Sequence, residues 1–165
     1  LVENNLVGMG TRIEDSTGQP ELVKRAIAYG IKEGPRVDGQ DVIKVYDAVK
    51  EALDYARAHG PVLMEALTYR YEGHGVSDKQ FDTRDDLRRE LDEWRNRDPL
   101  LVLKAQLEKR FKNLNDDFAR IEADTEKIVD DAVEFAVNSP DPTYEDLIAN
   151  VYVESDLVHG DPLKL

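Results

Sequence analysis

The stretch that decides the fold is Glu65-Ala-Leu-Thr-Tyr-Arg-Tyr-Glu-Gly-His-Gly-Val-Ser-Asp78. It continues a nearly unbroken apolar run that begins after Pro61, and such a run is typical of a strand buried on both faces of a parallel sheet. The polar part of the stretch then carries His74 between two glycines, with Arg70 shortly before it. Because ligands bind beyond the carboxyl ends of the strands in open α/β sheets, this loop is a candidate site. The alternative at this point is a surface loop in which both side chains bond only neighbouring backbone.

Composition and charge limit the classes of protein and partner. A length of 165 residues suits a single domain over residues 1–165 with a core of its own. The net charge of −13 argues against a nucleic-acid or anionic-membrane partner, since both need clustered lysine and arginine. The absence of cysteine excludes disulfides and thiolate metal ligands. No segment is long and apolar enough to span a membrane and no signal peptide is visible, so we expect a cytoplasmic protein.

A second candidate segment lies near the start of the chain. Residues 1–3 read like the end of a strand, so we expect the chain to begin within a fold. Asn4 and Asn5 follow and can offer side-chain oxygens, while Gly8 and Gly10 let backbone approach a ligand. Mg²⁺ accepts oxygen ligands of this kind, backbone carbonyls among them. On spacing alone, an asparagine-rich turn without a ligand is the other interpretation.

Strands and helices alternate in the first half of the chain. Pro20 opens a predicted helix, and Asp41 caps another that ends near His59. A short strand within residues 34–39 lies between them, and the buried strand follows the second helix. The order strand, helix, short strand, helix, buried strand implies a parallel sheet. We therefore predict an α/β fold.

Helical spacing of apolar residues marks the faces of these helices and of those after the loop. On the helix that Asp41 caps, one apolar face is formed by Val42, Val45, Tyr46, Val49, Leu53 and Ala56. Beyond the loop we predict a helical carboxyl-terminal region, with a capping box between Thr83 and Asp86, a helix start at Pro99 and another at Asn115 or Asp116. The residues predicted to pack inward there include Leu100, Leu103, Leu107, Phe111, Phe118, Ile121, Ile128 and Phe135.

Several motifs occur in one order along the chain. They are Glu3-Asn-Asn-Leu-Val-Gly-Met-Gly-Thr11, Arg36-Val-Asp-Gly39, Thr68-Tyr-Arg-Tyr-Glu-Gly-His74, Ser77-Asp78 and Arg97-Asp-Pro99. Over nearly the whole chain, their order and spacing resemble the C-terminal half of the alpha subunit of the pyruvate dehydrogenase component of the 2-oxo acid dehydrogenase complexes. The resemblance implies a parallel-sheet fold that binds thiamine diphosphate. It also implies oxidative decarboxylation of a small 2-oxo acid, with pyruvate as the expected substrate.

The resemblance further implies roles for particular residues. Asn5 would supply a side-chain oxygen and Val7 a backbone carbonyl to Mg²⁺, and Gly8 would adjoin the cofactor. His74 would lie near the diphosphate and the substrate channel as the candidate catalytic residue, with Arg70 ordering the same loop. A histidine has a titration range suited to proton transfer there. The implied partners are a beta subunit, within a heterotetramer of two alpha and two beta chains, and a lipoyl-bearing acyltransferase that takes the acyl group.

The chain departs from the family's pattern at the cofactor motif. The Gly-Asp-Gly half of that motif, whose Asp is the charged Mg²⁺ ligand, does not occur in this sequence. We therefore expect the chain alone to bind thiamine diphosphate weakly or not at all. Within the enzyme class, the alternative is a branched-chain 2-oxo acid or acetoin dehydrogenase. Outside it, the alternative is a non-catalytic subunit that only assembles with a beta-like partner.

Overall fold

The computed structural model describes residues 1–149, apart from the side chain of Gln80. One compact unit comprises Leu1–Lys112, and a second begins at Asn113. The single domain expected over residues 1–165 stays a prediction. Residues 150–165, which include the apolar stretch 151–153, lie outside the described part of the chain.

The first unit holds all of the described strands. Their bounds are β1 Val2–Asn4, β2 Val7–Gly8, β3 Thr11–Arg12, β4 Lys32–Asp38 and β5 Val62–Leu67. Its helices are α1 Ile13–Ser16, a 3-10 helix Leu22–Tyr29, α2 Val42–His59, α3 Gln80–Thr83, α4 Asp85–Arg95 and α5 Pro99–Glu108. Within its described residues, the second unit holds α6 Asn115–Asn138 and α7 Tyr144–Ile148. None of the described helices combines the length and the apolarity needed to cross a bilayer.

A three-stranded parallel sheet lies at the centre of the first unit. Strand β5 lies between β1 and β4 and pairs in parallel with both. This central place explains the apolar sequence of β5, because a middle strand has neighbours on both edges and Met64, Glu65 and Ala66 are all buried. Strands β2 and β3 form a separate antiparallel hairpin. The prediction of an α/β fold with a parallel sheet is confirmed.

Helix α2 packs on the sheet through its small residues. The Asp41 carboxylate accepts hydrogen bonds from the backbone N–H groups of Ile43 and Lys44 at 3.1 and 3.2 Å, so the predicted cap is confirmed. Ala48 and Ala52 are buried together with Met64 of β5. Alanines at these positions let the helix backbone come close to the sheet.

The apolar face predicted for α2 is therefore wrong in part. Val42, Tyr46 and Leu53 are 46%, 68% and 47% exposed, whereas Val49 is partly buried against the core. The alanines occupy the closest approach to the sheet, and the larger side chains farther round the helix remain outside. Hydrophobic periodicity indicates an apolar face, but it does not show which side chains the sheet covers.

Two predictions for the later helices are also wrong in detail. Helix α4 has no side-chain cap at its start; the Asp86 carboxylate instead pairs with Arg84 and Arg12, so Thr83 and Asp86 form no capping box. Of the residues predicted to pack inward on α6 and on or near α5, Leu103, Leu107 and Phe118 are partly buried. Five others are each more than half exposed: Leu100, Phe111, Ile121, Ile128 and Phe135. The spacing of these residues indicates an apolar stripe on one side of a helix. Whether the stripe is buried depends on another segment that packs against it, which the spacing does not show.

Candidate functional site

The carboxyl ends of β1 and β5 lie side by side, which brings the candidate segments together. Asn4, the last residue of β1, pairs with Leu67, the last residue of β5. Just beyond, the backbone N–H of Thr68 donates to the Asn4 carbonyl at 2.9 Å. We call residues 4–10 the asparagine turn and residues 68–79 the histidine loop. Both leave the sheet at the edge where ligands bind in parallel α/β folds.

The asparagine turn is held by its own side chains. Asn4 Oδ1 accepts from the N–H of Leu6 at 2.9 Å, and Asn5 Oδ1 accepts from the N–H of Val7 at 3.2 Å. Leu6 and Met9 adopt the left-handed conformation, with φ of 69° and 57°. Non-glycine residues hold that conformation only where the surroundings enforce it. The turn is therefore a fixed structure rather than a loose connection.

The histidine loop is held by one hydrogen bond to the asparagine turn and by one within the loop itself. Arg70 Nη2 donates to the Met9 carbonyl at 3.2 Å, which ties this loop to the asparagine turn. The N–H of His74 donates to the Asp78 carboxylate at 2.8 Å. Gly73 is required there, because a Cβ at that position would lie 2.1 Å from the carbonyl oxygen of Asp78. These contacts fix the backbone of His74 while its side chain stays exposed.

A cleft of about 780 Å³ is lined mainly by the asparagine turn and by residues between Ile13 and Arg25, and His74 from the histidine loop completes the lining. Its lining includes Asn5, Val7, Gly8 and His74, four of the five residues that the sequence predicts for the site. Arg70 lies outside this lining and acts through its contact with Met9. The structure thus brings the predicted residues to one place, although the roles assigned to them stay predictions.

Helix α4 holds the site segments from behind. Arg12 Nη2 donates to Asp86 at 3.1 Å and to Glu90 at 2.7 Å. Arg84 bonds the same Asp86 carboxylate at 2.7 Å and the Gly10 carbonyl at 2.8 Å. We call this group, together with Tyr69, the α4 clamp. Because Arg84 and Arg12 both bind the ionised carboxylate, they hold the pKa of Asp86 below its ordinary value.

Tyr69 joins the histidine loop to the same clamp. Its ring is buried and stacks on Trp94 with centroids 5.5 Å apart. Its hydroxyl lies 3.3 Å from the carbonyl of Leu87 and 3.3 Å from Glu90 Oε2. Burial, together with the negative charge of Glu90, raises the pKa of Tyr69 to about 12. Tyr69 therefore remains a neutral donor, which suits a structural role at the base of the loop.

The donors that could hold a metal here are neutral oxygens. Asn5 offers an amide oxygen, and the Val7 carbonyl lies two residues along the same turn. Within residues 1–149, no cluster of three or more histidine, aspartate or glutamate side chains is placed to hold a metal ion. An oxygen-preferring cation such as Mg²⁺ fits this donor pair, and it would need further oxygen ligands, including charged ones, from other groups.

Sequence reasoning missed Arg25 and Glu65, which the structure places at or behind the site, and it missed the contact that Asn4 makes with Glu65. Arg25 lines the cleft and donates to Thr17 Oγ1 at 2.9 Å, which adds a cation there. Asn4 and Glu65 form a buried hydrogen bond of 2.7 Å beneath the turn. The sequence did carry a sign of this contact, since Glu65 interrupts an otherwise apolar strand. A charge buried at such a position needs hydrogen-bond or ion-pair partners.

The chain belongs to the family described as Dehydrogenase E1 component, whose model matches residues 1–145. Curated relatives that it matches include alpha subunits of the pyruvate dehydrogenase E1 component. The testis-specific mitochondrial form of Homo sapiens is 38% identical over 154 residues, which cover 92% of this chain and 38% of that protein. The subunit of Rickettsia bellii is 37% identical over 155 residues, covering 93% of this chain and 46% of the relative.

A chloroplast relative shows the same pattern. The alpha-3 subunit of Oryza sativa subsp. japonica is 38% identical over 155 residues, covering 92% of this chain and 35% of that protein. The resemblance predicted from the motifs is confirmed. The chain spans less than half the length of these relatives.

Proposed function

We propose that the chain forms part of the alpha subunit of a dehydrogenase that oxidatively decarboxylates pyruvate with thiamine diphosphate and Mg²⁺. The observation that carries the proposal is the cleft in which Asn5, Val7, Gly8 and His74 meet. Family membership supports the same class of reaction. Cofactor, substrate and acyl transfer to a lipoyl carrier are all part of the proposal.

The asparagine turn fits the metal end of such a cofactor. Asn5 would donate its side-chain oxygen and Val7 its carbonyl, both uncharged, to a cation that also binds the diphosphate. Gly8 is exposed in the cleft and leaves room for the phosphates beside the backbone. When bound, thiamine diphosphate would supply the electron sink that decarboxylation needs.

The histidine loop fits the proton-transfer side of the site. The exposed imidazole of His74 stands on a backbone held by Asp78, so the ring can reach into the cleft without the loop being reordered. A neutral imidazole can accept a proton and an imidazolium can donate one near neutral pH. Arg70 would keep this loop against the turn through the Met9 carbonyl.

The proposed partners follow from the family. A beta subunit would complete an α₂β₂ enzyme, and a lipoyl-bearing acyltransferase would accept the acyl group. Neither a nucleic acid nor a membrane surface is proposed, in keeping with the net charge of −13. The cytoplasmic location expected from the sequence stays a prediction that cell fractionation would test.

A substrate panel tests the proposal. The enzyme assembled with its beta subunit is given pyruvate, branched-chain 2-oxo acids and acetoin, and product release is followed with and without Mg²⁺. We expect Mg²⁺-dependent turnover with pyruvate at the highest kcat/KM. Preference for a branched-chain acid or acetoin would transfer the assignment to those dehydrogenases. A stable assembly without turnover on any of them would support the non-catalytic reading instead.

A further inference from the structure

Glu65 places a carboxylate where the sheet is most buried. Its side chain is 0% exposed and lies in the middle of β5, between Met64 and Ala66. Burying a charge at such a position costs free energy unless its oxygens are paired with donors. A glutamate therefore needs a reason to stand in a strand whose other buried residues are apolar.

Every neighbour of this carboxylate that the structure records is a donor. Glu65 Oε1 accepts from Asn4 Nδ2 at 2.7 Å, and Oε2 accepts from the N–H of Val23 at 2.9 Å. The Nε of Arg36 lies 3.5 Å from Oε2. Surroundings made of donors favour a carboxylate, both of whose oxygens accept hydrogen bonds. The amide of glutamine has the same size, but its NH₂ group would face another donor.

The contact with Asn4 continues into the asparagine turn. Asn4 is 5% exposed and is held at both ends of its amide, by Glu65 through Nδ2 and by the N–H of Leu6 through Oδ1. Leu6 has the left-handed φ of 69°, and the N–H of the next residue, Val7, bonds to Asn5 Oδ1. Two hydrogen bonds thus link the buried strand to the backbone of Leu6, and the proposed metal donors Asn5 and Val7 are its neighbours in the chain.

We propose that Glu65 is a positioning residue for the Mg²⁺–thiamine diphosphate site. Its carboxylate fixes the Asn4 amide, and Asn4 fixes the turn that presents the oxygens of Asn5 and Val7. Residues that hold metal ligands from behind set the orientation of those ligands in this way. The inference rests on the proposed function, because it concerns the same site.

The first variant is Glu65→Gln in the enzyme assembled with its beta subunit. Its amide must turn N–H groups toward a donor, either Asn4 or Val23, so the hydrogen bonding beneath the turn is broken. We expect the dissociation constant for thiamine diphosphate in the presence of Mg²⁺, measured by calorimetry, to rise by about tenfold or more. Without cofactor, the amide hydrogen of Leu6 should exchange faster, since its acceptor on Asn4 is no longer fixed.

Two further variants separate positioning from a general loss of stability. Arg36→Met removes the ion pair with Glu65 and should lower stability, but it leaves the hydrogen bonds from Asn4 and Val23, so the dissociation constant should stay within about twofold of wild type. The double variant Asn4→Asp with Glu65→Gln exchanges donor and acceptor at the same net charge. The glutamine then donates to the aspartate, whose other oxygen still accepts from Leu6. This exchange should restore affinity to within about threefold of wild type.

The outcomes decide the inference in each case. Unchanged affinity in Glu65→Gln overturns it, as does an equal loss of affinity in Arg36→Met. If Glu65→Gln does not fold, the double variant decides, and wild-type affinity there supports positioning. A double variant that fails to fold, or that folds without regaining affinity, overturns it. A wild-type enzyme that binds no thiamine diphosphate contradicts the proposed function itself, and the inference then fails with it.

Discussion

Leu6 and Met9 give the asparagine turn its shape. Both lie in the left-handed region, which costs a residue with a Cβ about 1 kcal/mol or more. The cost is offset by hydrogen bonds on either side: Asn4 holds the N–H of Leu6, and Arg70 holds the carbonyl of Met9. All of these contacts are made within the chain itself, so they favour a turn that is already shaped for a ligand, and such preorganisation lowers the ordering cost of binding.

At the residue scale, we predict that His74→Ala lowers turnover more than it lowers cofactor affinity. Water can replace a diphosphate contact, whereas a positioned proton donor is harder to replace. We expect kcat to fall by about 100-fold and the dissociation constant for thiamine diphosphate to change by less than about fivefold. Steady-state kinetics at saturating cofactor and calorimetry measure the two effects.

His59 provides the control for this variant. It ends α2 and packs against Tyr55 with ring centroids 4.9 Å apart and the rings tilted by 46°, outside the lining of the cleft. His59→Ala should leave kcat unchanged. Wild-type turnover in His74→Ala would contradict the catalytic role and leave His74 with a purely structural role in the loop.

Helix α4 is the element that ties both site segments to one support. Arg12 reaches it from the hairpin strand β3, Arg84 reaches back to the Gly10 carbonyl, and Tyr69 reaches it from the histidine loop. Most of these contacts involve a charged group, and such hydrogen bonds are stronger than neutral ones. The clamp therefore sets the spacing of the two segments that line the cleft.

The clamp predicts a particular dependence of stability on pH. The pKa of folded Asp86 is lowered by Arg84 and Arg12, so the stabilisation is complete above the unfolded pKa of about 4 and is lost as the pH falls through the folded value. The difference in Tm between wild type and Asp86→Asn should therefore be constant from about pH 5 to 8 and shrink below about pH 4. Thermal unfolding followed by circular dichroism across this range measures it.

The adjacent Asp85 is a matched control. Its side chain is 92% exposed, and its nearest cation, Arg88, lies 4.0 Å away. Asp85→Asn should change Tm little at any pH, because exposed pairs of this kind contribute little. If the difference in Tm between wild type and Asp86→Asn did not change with pH, the α4 clamp would stabilise the fold through packing and neutral hydrogen bonds rather than through the charge of Asp86.

At the element scale, local signals predicted much of the fold. The apolar run after Pro61 predicted β5, and Asp41 predicted the start of α2, because each depends on residues close together in sequence. The apolar face predicted for α2 was wrong in part, and the capping box predicted for the start of α4 was wrong. Arg12 and Asp86 are separated by 74 positions, and no local pattern shows that the side chain of Asp86 pairs across that distance.

The candidate site divides in the same way. Asn5, Val7, Gly8 and His74 could be predicted from motifs, and the structure brings all four to one cleft. The residues that hold them could not be predicted so well, since Asn4 and Glu65 lie 61 positions apart and meet only because β1 and β5 pair in parallel. Contacts of this kind depend on the topology of the sheet.

At the scale of the whole molecule, residues 1–149 offer only part of a metal site. The proposed donors are two neutral oxygens, whereas Mg²⁺ takes about six ligands and is usually bound through carboxylates as well as phosphate oxygens. The chain's net charge of −13 adds a general repulsion toward an anionic cofactor. Both features argue that cofactor affinity comes from the assembled enzyme.

We therefore predict that the isolated chain binds thiamine diphosphate weakly or not at all. Titration of Mg²⁺ and thiamine diphosphate into the purified chain should give no saturable heat at micromolar concentrations, whereas the enzyme assembled with its beta subunit should bind under the same conditions. One-site micromolar binding to the isolated chain would show that its own residues suffice.

The claim that the asparagine turn holds the metal of the cofactor is tested most directly at Asn5. In the assembled enzyme, Asn5→Ala removes the proposed oxygen ligand, while Asn5→Asp keeps an oxygen at the same position. Calorimetry should show the dissociation constant for thiamine diphosphate in the presence of Mg²⁺ rising by at least about tenfold in the alanine variant and staying near wild type in the aspartate variant. Equal affinity in wild type and Asn5→Ala would contradict the account.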